Sequence, residues 1–332
     1  MNSKAQRYNS VINGVGSYVP TNVVDNFELS KKVDTSDEWI TTRTGIRARR
    51  IASKEEATSD IALQAAKAAL VDSNLKPQDI DLVIVATITP DMAFPSTACL
   101  LQDKLGIPKV ACFDIEAACS GFLYALDIAD GMLSSKRYKN ALVVGAEKLS
   151  SIMDWEDRTT CVLFGDGAGA AVVSSGGNGT KILGFKSGAD GSNPSLLHQP
   201  AGGSLNPASE KSLSDRGHFL KMNGREIFKS AVRVMERAAR DLLLEHGLKE
   251  GDIDHVIPHQ ANARIVESLS QRLAIPLDKF FCNLDKYGNT SAASIPIAFD
   301  EARKASIFKE GQLGLMVAFG AGLTWSAVLV RF

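Results

Sequence analysis

Three side chains in this 332-residue sequence, the thiol of Cys119, the imidazole of His259 and the carboxamide of Asn289, have types and surroundings that fit chemistry better than packing. Cys119 lies in Ile115-Glu-Ala-Ala-Cys-Ser-Gly-Phe-Leu-Tyr-Ala-Leu-Asp127, where a predicted strand, Val110 to Ile115, hands over through small residues to a helix starting near Ser120. A cysteine chosen blindly is usually a small buried hydrophobe. Position argues otherwise here. A thiol at a helix N-terminus meets the positive end of the backbone dipole, which favours the nucleophilic thiolate, and the small neighbours leave room for a substrate at the sulfur. Cys112, Cys161 and Cys282 sit in apolar strand-like settings and Cys99 in a helix-like one, so those four read as packing residues. His259, in Val256-Ile-Pro-His-Gln-Ala-Asn-Ala-Arg264, directly follows a predicted strand, and ligands bind at the carboxyl ends of strands in α/β sheets. Asn289, in Lys286-Tyr-Gly-Asn-Thr-Ser-Ala-Ala-Ser294, occupies another small-residue loop opening a helix; by itself it reads as a turn residue or a cap. Together the three corners point to one shared pocket.

The elements that must position these residues alternate. Val- and Ile-rich runs such as Asp81–Ala86 and Ala141–Gly145 interleave with amphipathic alanine-rich stretches such as Ser59–Val71, which predicts α/β layers. Ser59 or Asp60 is the expected cap of that helix. The chain also echoes itself. Asn74-Leu-Lys-Pro-Gln-Asp-Ile-Asp81 matches Gly247-Leu-Lys-Glu-Gly-Asp-Ile-Asp254, Leu105-Gly-Ile-Pro108 matches Leu273-Ala-Ile-Pro276, and Leu142–Ala146 resembles Leu315–Gly320, at shifts of 168 to 173 residues. Three matches in order predict two copies of one α/β unit, residues 1–176 carrying the cysteine and 177–332 carrying the histidine and asparagine, with the seam near Ser174–Thr180. Under this shift Cys119 falls opposite position 292, so Cys119 and Asn289 occupy nearly equivalent corners. Residues 187–217, dense in Gly, Ser, Asn and Pro, read as a long irregular loop, with a lid as the preferred role.

Composition bounds the alternatives. Lys plus Arg number 37 against 38 Asp plus Glu, a net charge of -1, which gives no global reason to expect nucleic acid or an anionic membrane. With 45% hydrophobic residues the chain can bury a large core, and disorder is excluded as its main state. No export signal is visible, and no apolar run approaches the roughly 18 residues of a membrane helix; the expectation is a cytoplasmic protein. Five cysteines without paired CxxC spacing argue against a zinc site and for free thiols. Gly165-Asp-Gly-Ala-Gly169 and Gly320-Ala-Gly322 lack the full dinucleotide fingerprint and the P-loop lysine, so NAD and ATP are set aside.

Ala118-Cys-Ser-Gly-Phe122, Pro258-His-Gln-Ala-Asn262, Tyr287-Gly-Asn-Thr-Ser291 and Phe319-Gly-Ala-Gly-Leu-Thr-Trp325 stand in this order, and with them the chain from about Val11 to Phe332 resembles β-ketoacyl-acyl carrier protein synthase III, a thiolase-fold condensing enzyme. The resemblance implies two duplicated α/β halves packed as a layered α/β/α/β/α body. It implies transfer of an acyl group, usually acetyl, from acyl-CoA to Cys119, then condensation with malonyl-acyl carrier protein, releasing CoA and carbon dioxide. It gives the oxyanion hole as the backbone N–H groups of Cys119 and Ala321, and assigns His259 and Asn289 to the malonyl enolate, with no metal or cofactor beyond the CoA thioester substrate.

The same resemblance implies a CoA site at Trp39, Arg43, Arg158 and Asn262, with Trp39 and Arg158 sandwiching the adenine, and a homodimer in which Phe94 bounds the partner's acyl pocket. Lys229, Arg233, Arg237 and Arg240 recur at i, i+4, i+8 and i+11 on one helical face. Such stripes are usually solvated; an acidic carrier protein would give Lys229 and Arg233, with Arg264, a docking role. Two other readings stay open at this point: a relative in secondary metabolism with a different acyl donor or acceptor, and a non-catalytic acyl- or carrier-binding protein.

Overall fold

The computed structural model describes residues 10–332. Nine strands form one sheet: β1 Val11–Tyr18, β2 Leu82–Ala86, β3 Ala111–Ile115, β4 Asn140–Glu147, β5 Gly167–Ser174, β6 Thr180–Ala189, β7 His255–Pro258, β8 Leu313–Gly320 and β9 Thr324–Arg331. Their order is β7-β8-β9-β6-β1-β5-β4-β2-β3. The two arms join where β1 pairs with β6 at Val11 and Ile12 only. β2 runs parallel to β3 and β4, as β7 does to β8, while the strands around the junction are antiparallel.

Among the described residues seven helices have eight or more residues: α1 Asp37–Thr44, α2 Thr58–Ser73, α3 Thr97–Leu105, α4 Gly121–Ser134, α5 Gly224–Glu245, α6 Ala263–Leu273 and α7 Ser294–Lys304. Strand side chains alternate between faces, and both faces here are apolar. On β2, Leu82 and Ile84 enter a central core while Val83 and Val85 enter an outer one. On β8, Met316 shares the central core, and Leu315 and Val317 belong to a third. Helices α2 and α3 cover one outer face and α5 and α6 the other, while Phe122 and Leu126 of α4 and Ile295 and Phe299 of α7 fill the centre between the arms. The result is five layers, α/β/α/β/α, with α4 and α7 shared.

The repeat is written in the element bounds. The 3-10 turns Pro77–Asp79 and Glu250–Asp252, the strands β4 and β8, the 3-10 turns Ala118–Ser120 and Ser291–Ala293, and the starts of α4 and α7 are each 173 residues apart. The edge strand β3 has as its counterpart only a parallel bridge from Val256 to Phe280.

Several local expectations are corrected. The N-cap of α2 is Ala57, whose N–H donates to Asp60 at 2.9 Å, while Ser59 Oγ bonds Asp91 instead. Cys161 lies in a buried turn and Cys282 in an exposed loop rather than in strands. Ser187 to Ala189 complete β6, and the segment beyond is pinned by a short ladder, Leu197–His198 against Lys221–Met222. No helix among the described residues is long and apolar enough to cross a membrane.

Candidate active site

The corner carrying Cys119 begins with Ala118 at φ 46°, and its counterpart begins with Ser291 at φ 49°. A left-handed turn at a residue with a Cβ costs roughly 1–2 kcal/mol, so both corners hold strain that the packing must enforce. Packing is close on each side. A Cβ on Gly320, the last residue of β8, would lie 2.7 Å from the Cys119 nitrogen, and one on Gly145 of β4 would lie 2.4 Å from the Ala292 carbonyl oxygen. Thr324 Oγ1 donates to the carbonyls of Ala117 at 2.9 Å and Ala321 at 3.1 Å, tying the glycine-rich turn after β8 to the cysteine corner.

Cys119 is buried and borders two cavities. One, of about 870 Å³, runs past Ser291, Ala321, Leu149, Phe164 and Ile115 to Phe94 and is walled on one side by Leu197, His198 and Gln199 of the long loop. The other, of about 130 Å³, is lined by Ile227, Phe228, Ala231 and Met235 of α5 together with His259, Asn262 and Asn289. Cys119, His259 and Asn289 therefore meet around one narrow space that opens into a wider apolar one.

Burial pushes the Cys119 thiol up to about 12; its hydrogen bond to the Ser291 side chain pulls down, and the Glu147 and Glu116 carboxylates push further up. That overturns the expectation of a thiolate poised by the helix start. A rise of this size is worth roughly 4 kcal/mol, against about 0.3–1 kcal/mol for a helix terminus. The resting sulfur is a neutral thiol.

His259 follows β7, its N–H donating to Val317 at 2.8 Å. Burial alone pulls its pKa down to about 3, so the ring is neutral at working pH. Nδ1 lies 2.7 Å from Ser294 Oγ, and the Gln260 N–H donates to the same oxygen at 3.4 Å. Ser294 Oγ has a proton to give to Nδ1, and in that arrangement the proton of the neutral ring sits on Nε2.

Asn289 is fixed by its backbone, which donates to Leu163 at 2.8 Å and accepts from Gly165 at 3.0 Å. Its Oδ1 accepts the Ser291 N–H at 2.8 Å. That bond settles which way the amide points: the carbonyl end is engaged by the turn, and the NH₂ end is the donor left for the pocket.

Of the other expected site residues, Trp39 and Arg43 lie on α1, with the Arg43 guanidinium 4.8 Å from the indole centre and that of Arg158 5.6 Å from it. Arg158 is held by the Asp34 carbonyl at 2.7 Å and carboxylate at 3.0 Å. Two stacking contacts of ~3.5 Å need about 7 Å, so a planar ring enters between Trp39 and Arg158 only if the guanidinium moves outward. Asn262 caps α6, accepting from the Arg264 N–H and donating to the Arg43 carbonyl. Lys229, Arg233, Arg237 and Arg240 share one exposed face of α5, but Lys229 pairs with Glu226, and Arg240 is turned toward Glu236, Glu250 and the Arg272 carbonyl. Arg264 donates to the Thr42 carbonyl at 3.1 Å. Phe94 is 84% exposed at the far end of the larger cavity.

Ser291, Ser294 and Glu147 were not singled out from sequence. The available signal for the last was a lone acid ending an otherwise apolar strand, Val143-Val-Gly-Ala-Glu147.

Residues 113–191 match the family described as 3-oxoacyl-[acyl-carrier-protein (ACP)] synthase III, and residues 243–332 match its C-terminal portion. The β-ketoacyl-[acyl-carrier-protein] synthase III of Caldanaerobacter subterraneus subsp. tengcongensis is 55% identical over 319 residues, covering 96% of each chain. That of Natranaerobius thermophilus is 52% identical over 327 residues, covering 98% of this chain and 99% of the relative. The crystal structure of the Aquifex aeolicus 3-oxoacyl-[acyl-carrier-protein] synthase III superimposes with a TM-score of 0.90 at 54% identity, covering 97% of this chain and all (100%) of that one. Similarity this high over nearly the whole length, on the same layered fold, makes the chain a member of the 3-oxoacyl-[acyl-carrier-protein] synthase III family of condensing acyltransferases.

Proposed function

We propose that the chain performs the initiating condensation of fatty-acid synthesis, with Cys119 as nucleophile and acyl-CoA, most simply acetyl-CoA, as donor. The observation that carries this reading is the meeting of two cavities at one sulfur, the wider for an acyl chain and the narrower, lined by Asn289 and His259, for the thioester arm. Cys119 attacks the thioester carbonyl, whose oxyanion receives the N–H groups of Cys119 and Ala321. CoA leaves as the thiol. Malonyl-acyl carrier protein then loses carbon dioxide; the enolate oxygen accepts hydrogen bonds from His259 Nε2–H and the Asn289 amide, and the carbanion attacks acyl-Cys119, breaking its C–S bond to release 3-oxoacyl-acyl carrier protein and return the Cys119 sulfur, which recovers a proton. Donors fixed in a dry site supply this charge stabilisation, so the chemistry calls for no metal or cofactor.

In the same reading CoA is held by Trp39, Arg43, Arg158 and Asn262, and the acidic carrier docks on Lys229, Arg233 and Arg264. The functional unit is a cytoplasmic homodimer: β3 leaves one edge of the sheet open, and an 84% exposed Phe94 beside it favours cover by a second copy.

The test is incubation with a panel of acyl-CoAs without malonyl donor, reading the mass added to the Cys119 peptide. The expected result is an acetyl adduct that Cys119→Ser abolishes. Preference for a branched or longer chain would move the enzyme to a specialised pathway, and no adduct from any acyl-CoA would refute the nucleophile assignment.

A further inference from the structure

Glu147 ends β4 with no exposed surface, and none of its hydrogen-bond partners is a cation. Its carboxylate accepts from Thr89 Oγ1 at 2.7 Å, Thr87 Oγ1 at 3.2 Å, the Ile88 N–H at 3.1 Å and Ser291 Oγ at 3.0 Å. A buried carboxyl without a countercharge is expensive, and the neutral amide of glutamine would satisfy the threonines and the backbone N–H as well. What it adds over an amide is the capacity to take a proton. Ser291 gives its own proton to Glu147, which leaves its lone pairs free, and its turn packs against the Cys119 turn with both residues lining the larger cavity. Ser291 Oγ therefore stands between the Cys119 corner and a buried proton acceptor, Glu147 Oε1.

We infer that Glu147, acting through the Ser291 hydroxyl, takes up the Cys119 proton during acyl transfer and returns it to the departing CoA sulfur. The inference rests on Cys119 being the nucleophile. As the sulfur bonds to the acyl carbon, its proton passes to Ser291 Oγ and the Ser291 proton passes to Glu147. The C–S bond to CoA then breaks, its electron pair staying on the CoA sulfur, which takes the Ser291 proton as Ser291 Oγ recovers one from Glu147, giving CoA thiol and regenerating the carboxylate.

The other titratable groups nearby fit this role less well. His259 is held near 3, too weak a base for the task. Glu116, in the turn before Cys119, accepts the Ala118 N–H at 3.1 Å. Lys148, next along the chain from Glu147, directs its Nζ to the Ser53 carbonyl at 2.7 Å. Burial pushes the Glu147 carboxyl up to about 7, where it both holds and releases a proton under working conditions.

Glu147→Gln separates the two roles this residue can have, because they predict opposite signs. A mere neighbouring anion disfavours the thiolate, so its removal would speed acylation. A proton acceptor, once removed, slows acylation. We expect Cys119 acylation by acetyl-CoA to fall at least ~10-fold in Glu147→Gln, with loss of the inflection near pH 7 expected of the wild type. Malonyl decarboxylation on the same preparation reports that the His259 and Asn289 pocket is folded. Ser291→Ala, which keeps the backbone N–H to Asn289, should slow acylation comparably, and the double variant should be little worse than either single one. An unchanged or faster acylation in Glu147→Gln, or additive losses in the double variant, overturns the relay. Should Glu147→Gln fail to fold, the pH profile of Ser291→Ala decides, an unaltered profile being the overturning result. A wild-type protein that no acyl-CoA labels at Cys119 removes the nucleophile reading itself, whereas labelled wild type with an indifferent Glu147→Gln removes only the relay.

Discussion

Asn289 and His259 each present a donor because a neighbouring serine occupies the other end of the side chain. Ser291 N–H engages Asn289 Oδ1, and Ser294 Oγ faces His259 Nδ1. In the proposed mechanism these donors act on the enolate and not on the acyl-transfer oxyanion. Asn289→Ala should therefore reduce malonyl decarboxylation by about 10²–10³ while leaving acylation of Cys119 within a few-fold; equal losses in the two half-reactions, each measured separately, would refute that division. Cysteine, histidine and asparagine were legible as candidates because their types and flanking small residues mark them locally. Glu147 and Ser291 were not, since their contact joins residues 144 positions apart, and neither a lone acid ending a strand nor a serine closing the Tyr287–Ser291 motif names its partner. The ionisation state of Cys119 is not legible for the same reason: a helix start can be read along the chain, whereas complete burial is made by elements remote from it.

The corners themselves are built by strands that approach too closely for side chains. Gly145 lies in the middle of an apolar run and breaks no sequence pattern, yet it lets β4 pass directly beneath the 3-10 turn Ser291–Ala293. Gly145→Ala would push that turn away from Glu147 and Cys119. We expect overpacking to cost about 1–3 kcal/mol, visible as a lowered melting temperature, with both half-reactions impaired together. A melting curve and activities equal to wild type would mean that the turn shifts freely. Strands and helices were largely legible at this scale because both sheet faces are apolar, giving continuous Val and Ile runs, and because amphipathic helices separate them. Caps and the long loop were less so. Asp60 reaches back to Ala57 in place of capping directly, and the segment after Ala189 takes its form from the ladder at Leu197–His198 and from Arg216 bound to the buried Asp154.

At the scale of the molecule, the repeat visible in three short matches extends to turns, strands and helix starts, and its two copies have diverged at their equivalent strand ends. β4 finishes in Glu147 and β8 finishes in Gly320, which the 173-residue shift superposes. One end supplies a carboxylate to the Ser291 corner, and the other withdraws its side chain to admit the Cys119 backbone. Neither copy holds all of the candidate site. Nor does either hold a complete core, since α4 and α7 bury residues of both arms in one central cluster.

That shared centre bears on what happens if the chain is cut. The connection between the arms, 175–179, is a glycine-rich turn on the surface, joining β5 to β6, and only Val11 and Ile12 pair across the junction. Residues 1–176 and 177–332 expressed as separate polypeptides should each expose the apolar faces of α4 or α7 and aggregate, yet fold into one active body when produced together. Co-purification of the two fragments with restored acylation of Cys119 is the expected result, and an independently soluble, monomeric fragment would contradict it. The enzyme would then be, in effect, an obligate heterodimer that happens to be encoded as a single chain.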